Sequence, residues 1–219
     1  MSWSEGAVLK GIIFDMDNTL LRSHIDFPAM KQEVHGWLAS RSLVPEAIDL
    51  SRYTTSILIE EAKQAGLSQA GYEEVMRLTV EHEVRGMADA GLEPGAEELL
   101  RALDERYILA IVTNNAEQAA ARALTDTGII DRFRYIVGRE SMQAMKPSSS
   151  GYETVVQRSG IPASNWLSVG DSWIDGKGSV DAGISFVSYG TSLEAMRSRG
   201  VEPIGRIEQL LELNEWLRL

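Results

Sequence analysis

Gly11-Ile12-Ile13-Phe14-Asp15-Met16-Asp17-Asn18-Thr19-Leu20 is the stretch from which the fold can be read. A short apolar run containing β-branched residues leads directly into two carboxylates two positions apart. This pattern predicts a buried strand that delivers acids to its C-terminal end, the edge of an open α/β sheet at which ligands bind. If strand geometry persists, Asp15 and Asp17 point to the same face. Crowding two negative charges raises at least one pKa unless a cation or a hydrogen-bond donor compensates. Downstream of this stretch, the question is which residues supply that compensation.

After Leu20 the pattern becomes helical, and no run between Arg22 and Leu92 reads convincingly as a strand. Met30, Val34, Trp37 and Leu38 recur at helical spacing within Met30–Ala39. A second helix is expected to open at Pro45-Glu46 and run through Ile48, Tyr53, Ile57 and Leu58 to a stop at Ala65-Gly66. A third, from Ser68 to Met87, is anchored by Val75, Met76 and Leu78. Residues 22–91 are therefore expected to form a small all-α subdomain inserted into a core made of residues 1–21 and 92–219.

Leu92-Glu93-Pro94-Gly95 is a turn signal that opens a helix over Ala96–Arg106, with Leu99, Leu100 and Leu103 as its apolar stripe. Tyr107–Val112 reads as a buried strand ending in Thr113-Asn114-Asn115, polar residues suited to capping the next helix, Glu117–Asp126. The cycle then repeats with a strand at Arg134–Val137, a helix at Ser150–Ser159 and a strand at Trp166–Val169. A short helix containing Val180–Ala182, a strand at Ile184–Tyr189 and a closing helix at Ile204–Leu219 complete the chain. In that last helix Ile207, Leu210, Leu211 and Leu213 are the apolar positions. Alternating β and α elements predict an α/β fold, a mostly parallel sheet with helices on both faces.

The bulk numbers narrow the chemistry. A chain of 219 residues can bury a sizeable core. The net charge of −11 argues against nucleic acid or an anionic membrane as a partner. An acidic protein that handles an anion needs local cations. Cysteine is absent, which excludes thiolate metal sites and a cysteine nucleophile. Met1–Gly6 lacks the basic-then-apolar pattern of a secretory leader, and no apolar run approaches the ~18 residues of a membrane span. The expectation is a soluble cytoplasmic protein, either a monomer or a homodimer.

Four strand ends are more polar than packing requires: Asp15/Asp17, Thr113/Asn114, Lys146-Pro147, and Gly170-Asp171 with Asp175. In a parallel sheet these ends lie along one edge and can converge. Three or four carboxylates form a poor site for an anion but a good one for Mg²⁺, which takes oxygen ligands. Lys146 adds a positive charge, and Thr113 with nearby backbone amides adds donors. A divalent ion and a lysine could hold a phosphoryl group against a carboxylate nucleophile.

These motifs, in this order, resemble the haloacid dehalogenase-like superfamily, in its phosphoglycolate phosphatase-like branch. Asp15-Met16-Asp17-Asn18-Thr19-Leu20 is similar to its D-x-D-x-T-L pattern, Thr113-Asn114 to its second motif, Lys146-Pro147 to its third and Gly170-Asp171-x-x-x-Asp175 to its fourth. The resemblance implies a Rossmann-like core with a helical cap inserted after the first strand, the cap being where substrate choice sits. It also implies a Mg²⁺-dependent phosphatase acting on a small phosphorylated metabolite. In that scheme Asp15 attacks phosphorus, while Asp17 protonates the leaving oxygen and later activates water. Thr113, Asn114 and Lys146 hold the phosphoryl oxygens. Mg²⁺ is bound by Asp15, the backbone carbonyl of Asp17 and Asp171, with Asp175 either a ligand or one step removed. An acid at Asp17 favours phosphate ester chemistry over dehalogenation, since a halide leaves without a proton.

Four positions depart from the pattern. Asn18 replaces the glycine of many relatives but tolerates a left-handed backbone. Arg22 stands where phosphoglycolate phosphatase-like members often have aspartate, and Lys177 and Gly178 are also less usual. The alternatives are a sugar phosphomutase of the β-phosphoglucomutase kind and a non-catalytic phosphate-binding protein. Asp15 and Asp17 alone would read equally well as a turn, Thr113-Asn114 as a helix cap, Lys146 as a solvated lysine and Asp175 as a cap. Arg22, His24, Arg52 and Arg77 are cationic candidates for meeting an anionic leaving group. His82-Glu83 lacks the second histidine of a zinc helix, and Gly176-Lys177-Gly178-Ser179 is mis-spaced for a phosphate-binding loop.

Overall fold

The computed structural model describes residues 8–104 and 106–217, so the leader reading on Met1–Gly6 and the last two positions of the closing helix lie outside the described residues. The chain divides into two compact units, one of residues 1–22 with 90–219 and one of residues 23–89.

In the first unit the strands are β1 (Gly11–Phe14), β4 (Ile108–Val112), β5 (Tyr135–Val137), β6 (Trp166–Gly170), β7 (Ser185–Tyr189) and β8 (Gly205–Ile207). Among the described residues they form one parallel sheet in the order β5-β4-β1-β6-β7-β8. The chain builds outward from β1 through β4 to β5, then returns to β1's other side for β6, β7 and β8. This α/β parallel sheet is the architecture the alternation predicts. The reversal of direction beside β1 is a topological switch point, where strand ends open into a crevice.

Register carries the sequence to that edge. Phe14 is level with Ile111 of β4 and Val169 of β6. The amide of Asp15 continues the ladder by donating to the Val169 carbonyl at 2.9 Å. One step beyond the paired residues therefore brings Asp15, Val112 and Gly170 abreast. At the other end of the strand Gly11 pairs with Trp166, and a Cβ on Gly11 would sit 2.3 Å from the indole ring. A strand glycine is weak in itself, but here it makes room for the largest buried side chain. Trp166 joins Ile13, Ala110, Val112, Val137, Tyr152, Val155 and Ile184 in one buried cluster. Burying an aromatic of this size contributes on the order of 4 kcal/mol.

The helices of this unit are α4 (Ala96–Asp104), α5 (Glu117–Asp126), α6 (Ser150–Ser159), α7 (Trp173–Asp181), α8 (Leu193–Arg197) and α9 (Glu212–Leu217). Leu99, Leu100 and Leu103 of α4 are all buried, as their stripe predicts. The closing segment is a correction. Ile204–Leu219 was expected as one helix, yet Gly205–Ile207 is the edge strand β8 and helix begins only at Glu212.

The second unit holds α1 (Phe27–Ala39), α2 (Thr55–Gln64) and α3 (Gln69–Met87). Met30, Val34 and Leu38 of α1 are buried, as are Leu58, Ile59 and Ala62 of α2 and Val75 of α3. Asp26, Thr54 and Ser68 cap the three helices by accepting from backbone amides three residues on. His82 of α3, also buried, sits 2.7 Å from Glu33 of α1. The expected helix start at Pro45 is corrected to Thr55. Asp49 accepts from both the amide and the hydroxyl of Ser51, and Lys31 takes the carbonyls of Leu50 and Tyr53 at 2.7 and 3.0 Å. These bonds compete with a helical ladder. A two-residue ribbon, β2 (Leu21–Arg22) antiparallel to β3 (Gly91–Leu92), which the sequence did not announce, joins the chain where it leaves and re-enters the sheet unit.

Candidate active site

β1 stops at Phe14, and the chain folds over itself at once. Met16's carbonyl accepts the amides of Leu20 and Leu21 at 3.0 and 2.9 Å, and the Asn18 amide donates to Leu21 at 2.7 Å. So tight a turn requires a left-handed residue, and Asn18 takes φ +55°. The turn buries both acids, Asp15 and Asp17, at the strand's end.

Lys146 reaches the same place from the segment after β5 and is fully buried. Its ammonium lies 2.5 Å from Asp15 Oδ1, 2.7 Å from Asp175 Oδ1 and 2.9 Å from the Val112 carbonyl. Three donors meet three acceptors, which is how a buried ammonium becomes tolerable. The two carboxylates hold its pKa well above the usual lysine value against the opposing pull of burial.

Asp175 is set on the first turn of α7. Its second oxygen accepts the Ser172 amide at 3.0 Å, so the residue is both a helix cap and a member of the site. Gly170, at the end of β6, makes this possible, because a Cβ there would meet the Asp175 side chain at 2.7 Å. Asp171 follows and stays half-buried. Thr191 Oγ1 fixes its carbonyl at 2.6 Å.

Asp15, Asp171 and Asp175 each offer a carboxylate oxygen, and these oxygens lie within 4.8 Å of one another. Burial, with the charge of Asp175 next in weight, pushes Asp15 up to about 7 and Asp171 up to about 8. Three converging carboxylates, two of them, Asp15 and Asp171, held this far from their ordinary range, mark a place where a cation would be bound rather than merely tolerated. The donors are all oxygens, which fits a hard divalent ion. The Asp17 side chain turns elsewhere, accepting from the Asn115 amide through Oδ2.

The segment after β4 corrects the sequence reading. Thr113-Asn114-Asn115 was expected to cap α5, but the N-cap residue is Ala116 and no side chain caps there. Instead the Glu140 carboxylate accepts the first helical amide, that of Glu117, at 2.8 Å. The three polar side chains are used laterally. Thr113 is buried and its Oγ1 accepts the Asn115 amide at 3.2 Å. Asn114 clasps the main chain of Lys146 with both ends of its side-chain amide, at 2.7 and 3.0 Å. Asn115 meets Asp17. Its contribution to the site was missed because a polar residue before a helix reads first as a cap.

Of the other cationic candidates, Arg22 belongs to the same unit as these residues. Arg22, 58% exposed in its side chain, lies 3.6 Å from Glu93. His24, Arg52 and Arg77 are exposed. Gly178 and Gly176 serve packing, since a Cβ would meet the Ser148 carbonyl at 2.9 Å in one case and Val201 at 2.5 Å in the other. Lys177 pairs along its own helix with Asp181.

Known proteins share this sequence pattern and fold. The family model of the haloacid dehalogenase-like hydrolases matches residues 12–189. A phosphoglycolate phosphatase of Rhodospirillum rubrum is 29% identical, the alignment covering 95% of this chain and 90% of that one. Among solved structures, a predicted phosphoglycolate phosphatase from Haemophilus somnus superposes with a TM-score of 0.66 at 23% identity, over 95% of this chain and 98% of the other. A putative hydrolase of the same superfamily from Bacillus subtilis, YfnB, solved bound to magnesium, gives a TM-score of 0.60 at 23% identity, over 97% and 100% of the two chains.

Proposed function

The chain belongs to the haloacid dehalogenase-like hydrolases, and from that premise we propose that it is a Mg²⁺-dependent phosphatase that hydrolyses a small phosphorylated metabolite through an aspartyl-phosphate on Asp15. One observation carries the reading: Asp15, at the end of the central strand, is flanked at once by the Lys146 ammonium and by the carboxylates of Asp171 and Asp175. The relationship to a phosphoglycolate phosphatase supports phosphate ester chemistry over dehalogenation, as does the second acid at Asp17.

Asp15, Asp171 and Asp175, with the backbone carbonyl of Asp17, would hold the ion. When bound, it supplies positive charge to the phosphoryl oxygens and keeps Asp15 ionised. An Asp15 carboxylate oxygen attacks phosphorus as the bond to the ester oxygen breaks. Asp17, protonated at this stage, gives its proton to that departing oxygen, and an alcohol leaves. Water then attacks the phosphorus of the acyl phosphate and passes a proton to Asp17. The bond to Asp15 breaks, its electron pair returns to the carboxylate, and inorganic phosphate is released. Lys146 anchors Asp15 throughout, and Thr113 offers its hydroxyl proton to a phosphoryl oxygen.

Asp15→Asn is expected to abolish phosphate release from p-nitrophenyl phosphate with Mg²⁺ present, while circular dichroism and melting stay those of a folded protein. A variant that still turns over overturns the reading. Phosphate release across a panel of phosphorylated metabolites, with and without Mg²⁺, then identifies the substrate. Isomerised product without phosphate release would instead indicate a mutase.

A further inference from the structure

Asn115 has no place in the scheme above, yet both its main chain and its side chain are held by hydrogen bonds. It is 4% exposed. Its amide nitrogen donates to Thr113 Oγ1 at 3.2 Å. Its carbonyl accepts the backbone amide of Arg139 at 3.0 Å, and the Arg139 guanidinium takes the preceding carbonyl, that of Asn114, at 3.2 Å. Main chain is thus fixed on both sides of the residue by segments that follow β4 and β5. From that fixed backbone the side-chain Nδ2 donates to Asp17 Oδ2.

We propose that Asn115 is a positioning residue for Asp17: by holding one carboxylate oxygen it fixes the rotation of the group, so that the other is presented in a single direction, towards the leaving-group oxygen. This rests on the reading of Asp17 as the acid and base of the reaction. The physical case is one of reach and freedom. A carboxylate on a tight turn, one bond from its Cβ, can rotate through many orientations, and proton transfer needs a narrow range of them. A hydrogen bond to a charged acceptor is among the stronger ones available, and a buried amide that lost it would be left with an unmet donor. The arrangement accounts for an asparagine that stands where a helix cap was expected and does not cap α5. It also gives the Arg139 clamp a purpose, since the clamp stabilises the residue that aims the acid rather than the acid itself.

The test compares leaving groups. An alkyl phosphate needs a proton on its departing oxygen, whereas p-nitrophenolate departs readily without one. We expect Asn115→Leu to lower kcat/KM for an alkyl phosphate by about 10- to 100-fold and for p-nitrophenyl phosphate by less than about 3-fold, a part of the roughly 10²- to 10⁴-fold that general acid catalysis contributes. Asn115→Ala provides the same comparison should the leucine variant fail to fold. In the background of Asp17→Asn, adding Asn115→Leu should cost little more, because the group it aims is gone. Equal losses on both substrates from Asn115→Leu, or a full further loss in the double variant, would overturn the inference while leaving Asp17 its role. If Asp17→Asn itself showed no leaving-group dependence, the acid assignment would fail and the inference with it. Loss of activity in Asp15→Asn is independent of both.

Discussion

Lys146 is the residue on which the charges at the end of β1 depend. Its ammonium separates Asp15 from Asp175 and uses all three of its donors to do so. Removing it leaves two buried carboxylates facing each other, and breaking such a pair typically costs 3–5 kcal/mol, a figure of about that order here. Lys146→Met is therefore expected to lower stability strongly in urea melts at pH 8 and much less at pH 5.5, where the stranded acids can protonate. The wild type should carry a gentler version of the same slope. In the metal-free protein Asp15 and Asp171 are raised to about 7 and about 8, so the folded chain binds more protons than the unfolded one once pH exceeds about 4. Stability in chelator should consequently fall as pH rises from about 4 through 8. Lys146, raised from its ordinary value, remains an ammonium across that window and contributes no slope of its own. A flat or rising profile in chelator would contradict the buried, mutually repelling acids. At this scale the sequence was most informative: Asp15, Lys146, Asp171 and Asp175 were nameable from motif order, and folding brings their side chains together. Asn115 was not, because its partner lies far away in the chain and only folding joins them.

Elements, rather than single residues, decide where those groups point. Gly170 ends β6 and leaves the space into which α7 sets the Asp175 carboxylate. Gly170→Ala should keep the sheet, whose hydrogen bonds it does not alter, and push Asp175 away from Lys146. Turnover is expected to fall by at least about tenfold, since small displacements of this kind are costly in catalysis. A steady-state assay beside a thermal melt separates that effect from unfolding. The misread elements fail for reasons of the same kind. Ile204, Ile207, Leu210 and Leu211 repeat at near-helical spacing and mimic a stripe, while Pro203 and Gly205 were the quieter signals of an extended segment. What makes Gly205–Ile207 a strand is the free edge of β7 beside it. Between Pro45 and Thr54, apolar spacing suggested a helix, but Asp49 and Ser51 bond to each other and Lys31 claims the carbonyls. The first of these could have been suspected from Asp49-Leu50-Ser51. The second depends on a lysine on another helix and has no local trace.

For the molecule as a whole, the strongest prediction concerns metal. A ligand that binds only the folded state raises stability by an amount set by its concentration relative to its affinity. Mg²⁺ should therefore raise the melting temperature, more at pH 8 than at pH 5.5 because protons compete for Asp15 and Asp171. Asp171→Asn should remove most of the increment. An equal shift at both pH values, or an undiminished shift in the variant, would separate the stabilisation from the acidic cluster. The α/β alternation made the sheet legible over nearly its whole length, since buried parallel strands carry continuous apolar runs. The ribbon at Leu21–Arg22 and Gly91–Leu92 was invisible because two residues have no periodicity to read. Yet that ribbon has a consequence of its own. Leu21 faces Leu92 and Arg22 faces Gly91, so the chain departs from the sheet unit and returns to it at adjacent points. The entropy of closing a loop grows only with the logarithm of its length, by about 0.6 kcal/mol for each doubling. To the sheet, then, the excursion through residues 23–89 is little more than the turn of a hairpin. An insertion that doubled the length of that excursion would therefore cost the sheet only about 0.6 kcal/mol of closure entropy.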